Sequence, residues 1–258
     1  MISAPFVEEA FKGIALVGLL VFFRREFDGL VDGVVYATFV ALGFAAFENV
    51  VYYARGTLSG GGGGLIGTFF IRGILSPWCH PVFTSMTGLG VGLARETNKT
   101  WVKVVAPVFG YFCAVGLHMT WNGVPTIFGG TKNGGAVFIA MYLLFWLPFL
   151  LIFFVVVIFL VRREGKIIRK YLEDEVLIGN MSRDEVELVC SPFGRMKALM
   201  GAGGFKGRAF VDAASRLALS KWHATVAMEG RKMTISADFI VPLRQELAKI
   251  RYEIQNRR

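Results

Sequence analysis

Five apolar stretches of about membrane-spanning length occupy most of this chain before residue 162. A helix needs ~20 mostly apolar residues to cross the hydrocarbon core of a bilayer. The stretches that reach or approach this length are residues 5–23, 30–53, 77–94, 101–121 and 136–161. Hydrophobic residues make up 54% of the 258 residues, more than a soluble core of this size needs. The sequence therefore predicts an all-α, polytopic transmembrane helix bundle.

Two glycine-rich connections and one short apolar run interrupt these stretches. Residues 65–75 contain Arg72 and are too few to span, so we predict a re-entrant or interfacial segment there. The five consecutive glycines at 60–64 predict a flexible loop with no side chains to pack. A second such loop is predicted at 125–135. Either loop serves as a gate beside a site or as a plain connector, and the connector is the simpler interpretation.

Charge divides the chain into two parts. Residues 1–161 hold 9 Lys and Arg against 7 Asp and Glu, whereas residues 162–258 hold 19 against 12. We therefore predict a transmembrane domain over 1–161 and a basic, helical, cytoplasmic domain over 162–258. The basic residues of the second part alternate with acidic ones, which favours attraction to anionic membrane lipids over nucleic-acid binding. Ser182 and Glu185 have the spacing of a capping box that begins one of its helices.

The basic residues of the short connections predict the orientation. One set of helix ends carries many of them, and the alternate set carries only Arg55 and Lys132. Because Lys and Arg accumulate on the cytoplasmic side, we expect the N-terminus outside and the C-terminus in the cytoplasm of a multi-pass protein of the cell membrane. The N-terminus has no basic region before its apolar core, so a cleavable signal peptide is not expected. The richer set is Arg24, Arg25, Arg95, Lys99, Lys103, Arg162, Arg163, Lys166, Arg169 and Lys170.

Ionisable residues lie inside the predicted spans, and a charged residue at the centre of a span costs about 2.5–3.5 kcal/mol on insertion scales. Glu8, Glu9 and Lys12 are in the first span, and helical spacing puts Lys12 within reach of either carboxylate. One glutamate is then held by Lys12 while the other is left for general-base chemistry. The alternative is that all three side chains extend to the headgroups.

The next three spans add further polar groups. Glu48 lies on one helical face with Phe44 and Tyr52 in the second span, and a hydrogen bond to Tyr52 or to another helix would be its purely structural role. His80 precedes Thr84 by one turn in the third span, and His118 precedes Asn122 by one turn in the fourth. A single histidine of this kind is usually a core residue.

The predicted topology places all these residues near the outer ends of their spans. Unrelated structural polar residues would scatter in depth. The common depth therefore predicts one polar layer near the outer leaflet.

The motifs Glu8-Glu9-x-x-Lys12, Phe44-x-x-x-Glu48-Asn49-x-x-Tyr52, His80 with Thr84, and His118-x-x-x-Asn122 resemble those of the PrsW family of intramembrane proteases. That family is related to the type II CAAX prenyl endopeptidases. The resemblance covers about residues 4–125. It implies peptide-bond hydrolysis in the membrane, with bacterial members that cut anti-sigma factors at an extracytoplasmic site.

The chain departs from the family pattern at two positions. The final motif of the family is His-x-x-x-Asp-like, and this chain has Asn122 at its last position. Asparagine there is a form seen in the CAAX-protease relatives, so a carboxylate ligand is not expected from this position. The first motif also begins within ten residues of Met1, whereas family members usually have spans before it, so a shortened start is expected.

Two mechanisms use the same residues. In a glutamate-type protease, Glu8 or Glu9 is the base for a water, His80 or Glu48 assists, and His118 with Asn122 donates to the oxyanion. In a zinc protease, the candidate ligands are Glu9, Glu48, His80 and His118. The sequence has no His-Glu-x-x-His motif, which slightly favours the first version.

A proton-coupled transporter is the alternative function, with Glu8, Glu48, His80 and His118 as a relay. It would spread charges across the membrane and show repeat symmetry between halves, and neither is evident. The expected partners are a membrane-protein substrate and membrane lipids. The residues do not indicate an oligomeric state.

Overall fold

The computed structural model describes residues 3–200 and 204–255, in which all regular elements are helical. Two compact units are present, Met1–Val155 and Val156–Arg258, and the boundary between them falls within α6. The α-helices are α1 (Ser3–Phe22), α2 (Leu30–Phe69), α3 (Cys79–Glu96), α4 (Thr100–Phe128), α5 (Gly134–Met141), α6 (Leu147–Leu177), α7 (Arg183–Cys190), α8 (Pro192–Met200), α9 (Gly204–Glu229) and α10 (Ile240–Gln255). Two π-helical segments, Phe70–Leu75 and Tyr142–Trp146, and a 3₁₀-helix, Ile235–Phe239, complete the described elements.

Three helical stretches are long and apolar enough to cross a membrane, judged by length and composition within the described residues. They are Leu30–Glu96, Thr100–Phe128 and Gly134–Leu177, and the first of them contains both α2 and α3. Large apolar side chains such as Phe39, Phe47 and Phe109 are exposed on the outside of these helices. Such surfaces fit contact with lipid, because their side chains are apolar and a helix satisfies its backbone hydrogen bonds internally.

Residues 60–64 do not form the predicted flexible loop, and that prediction was wrong. The backbone leaves the helical conformation only at Gly60 and Gly61, where Gly61 has a φ of 57°. Gly56 and Gly64 then meet across the turn, since a Cβ added at Gly64 would lie 2.0 Å from the Gly56 carbonyl oxygen. Gly56 and Gly64 are therefore packing residues of a helical hairpin, and Gly61 supplies the positive φ at its turn. Residues 62–75, here named the return arm, run back along the part of α2 that precedes the turn.

The packing of α3 on α2 also depends on glycine. A Cβ added at Gly88 would lie 2.2 Å from the Gly33 carbonyl oxygen, and one added at Gly33 would lie 2.1 Å from that of Gly88. Small residues at such a contact let two helix backbones approach directly. The Glu96 carboxylate accepts a hydrogen bond of 3.0 Å from the backbone N–H of Leu30 and so joins the end of α3 to the start of α2.

The second unit has its own apolar core, to which Leu172, Val189, Leu217 and Leu247 contribute. Glu175 is buried beside this core and accepts hydrogen bonds from Lys221, from Asn180 at 2.7 Å and from Arg244 at 2.7 Å. The predicted capping box is confirmed, because Ser182 and Glu185 bond reciprocally at the start of α7.

We expect Gly88→Ala to destabilise the first unit, because the added methyl group would overlap the Gly33 carbonyl and force α2 and α3 apart. Overpacking of this kind costs about 1–3 kcal/mol. Thermal unfolding in detergent, followed by tryptophan fluorescence, measures the effect. Gly43→Ala is the matched control, since nothing lies within 4 Å of a Cβ there. An equal melting temperature for the two variants would contradict this packing.

Candidate active site

The Lys12 side chain lies at the centre of a polar cluster formed by the first four helices. Its ammonium donates to Glu9 Oε1 at 2.8 Å and to His80 Nδ1 at 3.1 Å, and it lies 4.3 Å from the centroid of the Phe44 ring. Lys12 is only 2% exposed. A buried cation needs this compensation, because an unpaired one would lose its hydration without replacement.

Both oxygens of Glu9 are engaged. Oε1 accepts from Lys12 and, at 3.0 Å, from His118 Nδ1, while Oε2 accepts from the Thr84 hydroxyl at 2.9 Å. Glu9 is completely buried. Three donors on one carboxylate fix its position, so Glu9 is a structural anchor that joins α1 to α3 and α4.

His118 and Glu8 face each other without forming a hydrogen bond. A carboxylate only accepts, so His118 Nδ1 carries the proton that is donated to Glu9, and in the neutral ring Nε2 is left with a lone pair. That Nε2 lies 3.7 Å from Glu8 Oε2. Glu8 Oε2 is buried and has no hydrogen-bond partner within the described part of the chain. A buried carboxylate oxygen without a donor is costly, which indicates that Glu8 binds a ligand or water through this oxygen.

His80 connects the cluster to Glu48 and Arg72. Lys12 donates to His80 Nδ1, so Nε2 carries the ring proton and donates to Glu48 Oε2 at 3.0 Å. The same Glu48 oxygen accepts from Arg72 Nη2 at 2.5 Å. Arg72 also donates to Asn49 Oδ1 at 2.7 Å and lies 3.8 Å from the centroid of the Tyr52 ring.

Six of the seven predicted site residues meet in this cluster: Glu8, Glu9, Lys12, Glu48, His80 and His118. The His80 and His118 rings are 5.0 Å apart, measured between centroids. Asn122 is half-buried one turn beyond His118, and its side chain makes no hydrogen bond to another described residue.

Arg72 was not predicted as a site residue. Its signal in the sequence was an arginine within an apolar run, which by itself indicates a buried partner. The fold of the hairpin identifies the partners, because the return arm brings Arg72 beside Glu48 and Asn49.

Residues 1–160 match the family described as "PrsW family intramembrane metalloprotease", and this match covers more than half of the chain. The chain belongs to the PrsW family. Over 103 residues, this PrsW-family chain is 35% identical to Protease PrsW of Bacillus subtilis (strain 168). The matched region covers 40% of the chain and 43% of that protein. Protease PrsW of Geobacillus kaustophilus (strain HTA426) is 32% identical over 113 residues, which cover 42% of the chain and 46% of that protein.

The chain is also 41% identical to Protease PrsW of Clostridioides difficile (strain 630) over a shorter stretch of 51 residues. That stretch covers 20% of the chain and 21% of the relative. The matches thus cover less than half of the length of these relatives. No solved structure gave a significant match.

The family description names a metalloprotease, and one group of side chains in this PrsW-family protein has the composition of a metal site. Ligand atoms of Glu8, His80 and His118 lie within 4.8 Å of one another. The set predicted from sequence was Glu9, Glu48, His80 and His118, so Glu8 stands in the observed group and Glu9 and Glu48 do not. The fit is supported by Glu8 Oε2, to which no residue of the described ranges donates, and by the lone pair on His118 Nε2 that faces it.

We expect the Lys12–Glu9 pair to behave as one energetic unit. Lys12→Met leaves the Glu9 carboxylate buried with one donor fewer, and Glu9→Gln leaves the ammonium without its anion, so either change alone should cost about 3–5 kcal/mol. The double variant should lose less than the sum of the two, because neither charge then remains. Unfolding in graded detergent mixtures measures the coupling. Strictly additive losses would show that the two groups do not depend on each other.

Proposed function

We propose that this protein is an intramembrane endopeptidase that hydrolyses peptide bonds of membrane-protein substrates near the extracytoplasmic leaflet. The Glu8 carboxylate and His118 Nε2 support this proposal most strongly. They face each other at 3.7 Å, and both remain available for chemistry. Family membership supports the reaction class.

The three carboxylates of the cluster have different capacities for a proton. Glu9 has donors on both oxygens, and these hydrogen bonds stabilise its ionised form and disfavour its protonation. Among the described residues Glu8 Oε2 has no donor, and both hydrogen bonds that Glu48 accepts from them are on Oε2, which leaves Oε1. Glu8 and Glu48 therefore each have an oxygen that can take the proton released when water attacks a peptide carbonyl, and Glu8 is the stronger candidate because Arg72 and His80 stabilise the ionised form of Glu48.

Glu8, His80 and His118 would hold a divalent metal such as zinc. When bound there, the metal would polarise the scissile carbonyl and acidify a water molecule. Glu9 would orient His118 through the Nδ1 proton, as carboxylates commonly do for metal-binding histidines. His80 would exchange one of its present hydrogen bonds, to Lys12 or to Glu48, for the metal.

The metal-dependent and metal-free mechanisms would differ in the role of Glu8. With a metal, Glu8 rather than the predicted Glu9 or Glu48 would be a ligand, and Glu48 Oε1 would accept the proton. Without a metal, Glu8 Oε2 itself accepts the proton. In both versions Lys12 balances the charge of Glu9, and Asn122 would contribute to the oxyanion site only after its side chain turns toward the cluster.

The proposal also includes the arrangement in the cell. Residues 1–161 would form the transmembrane protease domain and residues 162–258 the cytoplasmic domain, with the N-terminus outside. The substrates would be single-span membrane proteins similar to anti-sigma factors. The transporter alternative is not favoured, because the ionisable residues form one cluster rather than a path across the bundle.

Co-expression with a library of single-span reporter proteins, randomised across the spanning segment and tagged at both ends, tests the proposal. Wild-type protein should release tagged fragments, and Glu8→Gln or His118→Ala should reduce release by about 10²-fold or more, because each removes a group at the reaction centre. Glu246→Gln, an exposed carboxylate in α10, is the control and should cleave normally. Fragment release that persists in both site variants would end the protease assignment.

Metal content separates the two mechanisms. Purified wild-type protein should contain about one zinc ion per chain, and both Glu8→Gln and His118→Ala should lower that content, since each removes one of three ligands. Elemental mass spectrometry provides this readout independently of activity. Cleavage should stop with a chelator and return with zinc. Metal-free protein with chelator-resistant cleavage would instead support Glu8 as the base.

A further inference from the structure

A cavity of about 160 Å³ adjoins the candidate active site on the side of His80. One wall is a single face of α2, formed by Leu42, Ala45, Ala46 and Asn49, whose spacing of three and four residues places them together. Trp121 of α4 also lines the cavity. The residues that α2 and α4 contribute are therefore mainly apolar, and the cavity begins beside a residue of the proposed reaction centre.

The end of the cavity nearest the return arm is polar and rigid. Arg72 lines it, and the guanidinium is fixed by Glu48 at 2.5 Å, by Asn49 at 2.7 Å and by the Tyr52 ring. Those bonds use the Nε proton and one proton on Nη2, whereas an arginine has five N–H donors. The remaining donors suit a carbonyl oxygen, such as that of a bound peptide chain.

The cavity also opens toward the outer surface of α2. Leu42 and Ala46 line it and are exposed at that surface, where lipid would lie. A peptide within the membrane would therefore reach His80 from the side without passing through the bundle.

We infer that this cavity binds the side chain of a substrate residue flanking the scissile bond, and that it selects an apolar side chain of about the size of leucine or phenylalanine. The inference rests on the proposed function. A cavity of roughly 150 Å³ holds a benzene-sized apolar group, so the volume fits such a side chain. Small apolar pockets with a few fixed polar groups are typical of specificity sites.

The test uses the reporter library described above, with mass spectrometry of the released fragments to identify the residues on both sides of each cut. Wild-type protein should enrich leucine, methionine or phenylalanine on one side of the cut. Ala46→Leu fills the cavity and should reduce cleavage at those residues relative to alanine and glycine by at least ~10-fold, the discrimination that even one methylene in a pocket can give. Leu42→Ala enlarges the cavity and should shift the preference toward larger side chains.

Ala54→Leu is the matched control, because it makes the same change at an exposed position of α2 that does not line the cavity. It should keep the wild-type preference. Cleavage with an unchanged preference in Ala46→Leu and Leu42→Ala would overturn the inference and leave the protease proposal intact. Wild-type protein that cuts no reporter would overturn both.

Discussion

The Lys12 ammonium lies inside the helix bundle and bonds to Glu9 on its own helix and to His80 on α3. A charge in this position is stable only while its partners remain, so it requires the Glu9 carboxylate, and the carboxylate in turn attracts donors from α3 and α4. The Thr84 hydroxyl and His118 Nδ1–H donate these hydrogen bonds to Glu9. The orientation of both histidines therefore follows from one buried cation.

Close backbone packing makes this network possible. A Cβ at Gly88 would collide with α2, one at Gly90 would lie 2.2 Å from the Ala106 carbonyl oxygen, and one at Gly110 would lie 2.3 Å from that of Met86. Glycine thus lets α2 and α4 approach α3 from both sides. As a result, side chains from four helices reach a single cluster, and the His80 and His118 rings come within 5.0 Å of each other.

Much of the cluster could be predicted from the sequence. Residues three or four apart share a helix face, and a charged residue within an apolar span is rare enough to indicate a functional site. The spacing could not decide whether Lys12 bonds to Glu8 or Glu9, because both are within reach. The contact of Arg72 with Glu48 depends on the hairpin, and a run of five glycines has no side-chain pattern that distinguishes a tight helical turn from a loop. The position of Asn122 outside the hydrogen-bonded cluster reflects side-chain conformation, which helical spacing does not determine.

We propose that the two adjacent glutamates have different tasks, Glu9 holding the structure and Glu8 serving the reaction. Parallel measurement of melting temperature and reporter cleavage for Glu8→Gln and Glu9→Gln separates these tasks. Glu9→Gln should lower the melting temperature and cleavage together, because it breaks the bonds to Lys12 and His118. Glu8→Gln should abolish cleavage at an unchanged melting temperature. A stable, inactive Glu9→Gln variant beside a destabilised Glu8→Gln variant would contradict this division of tasks.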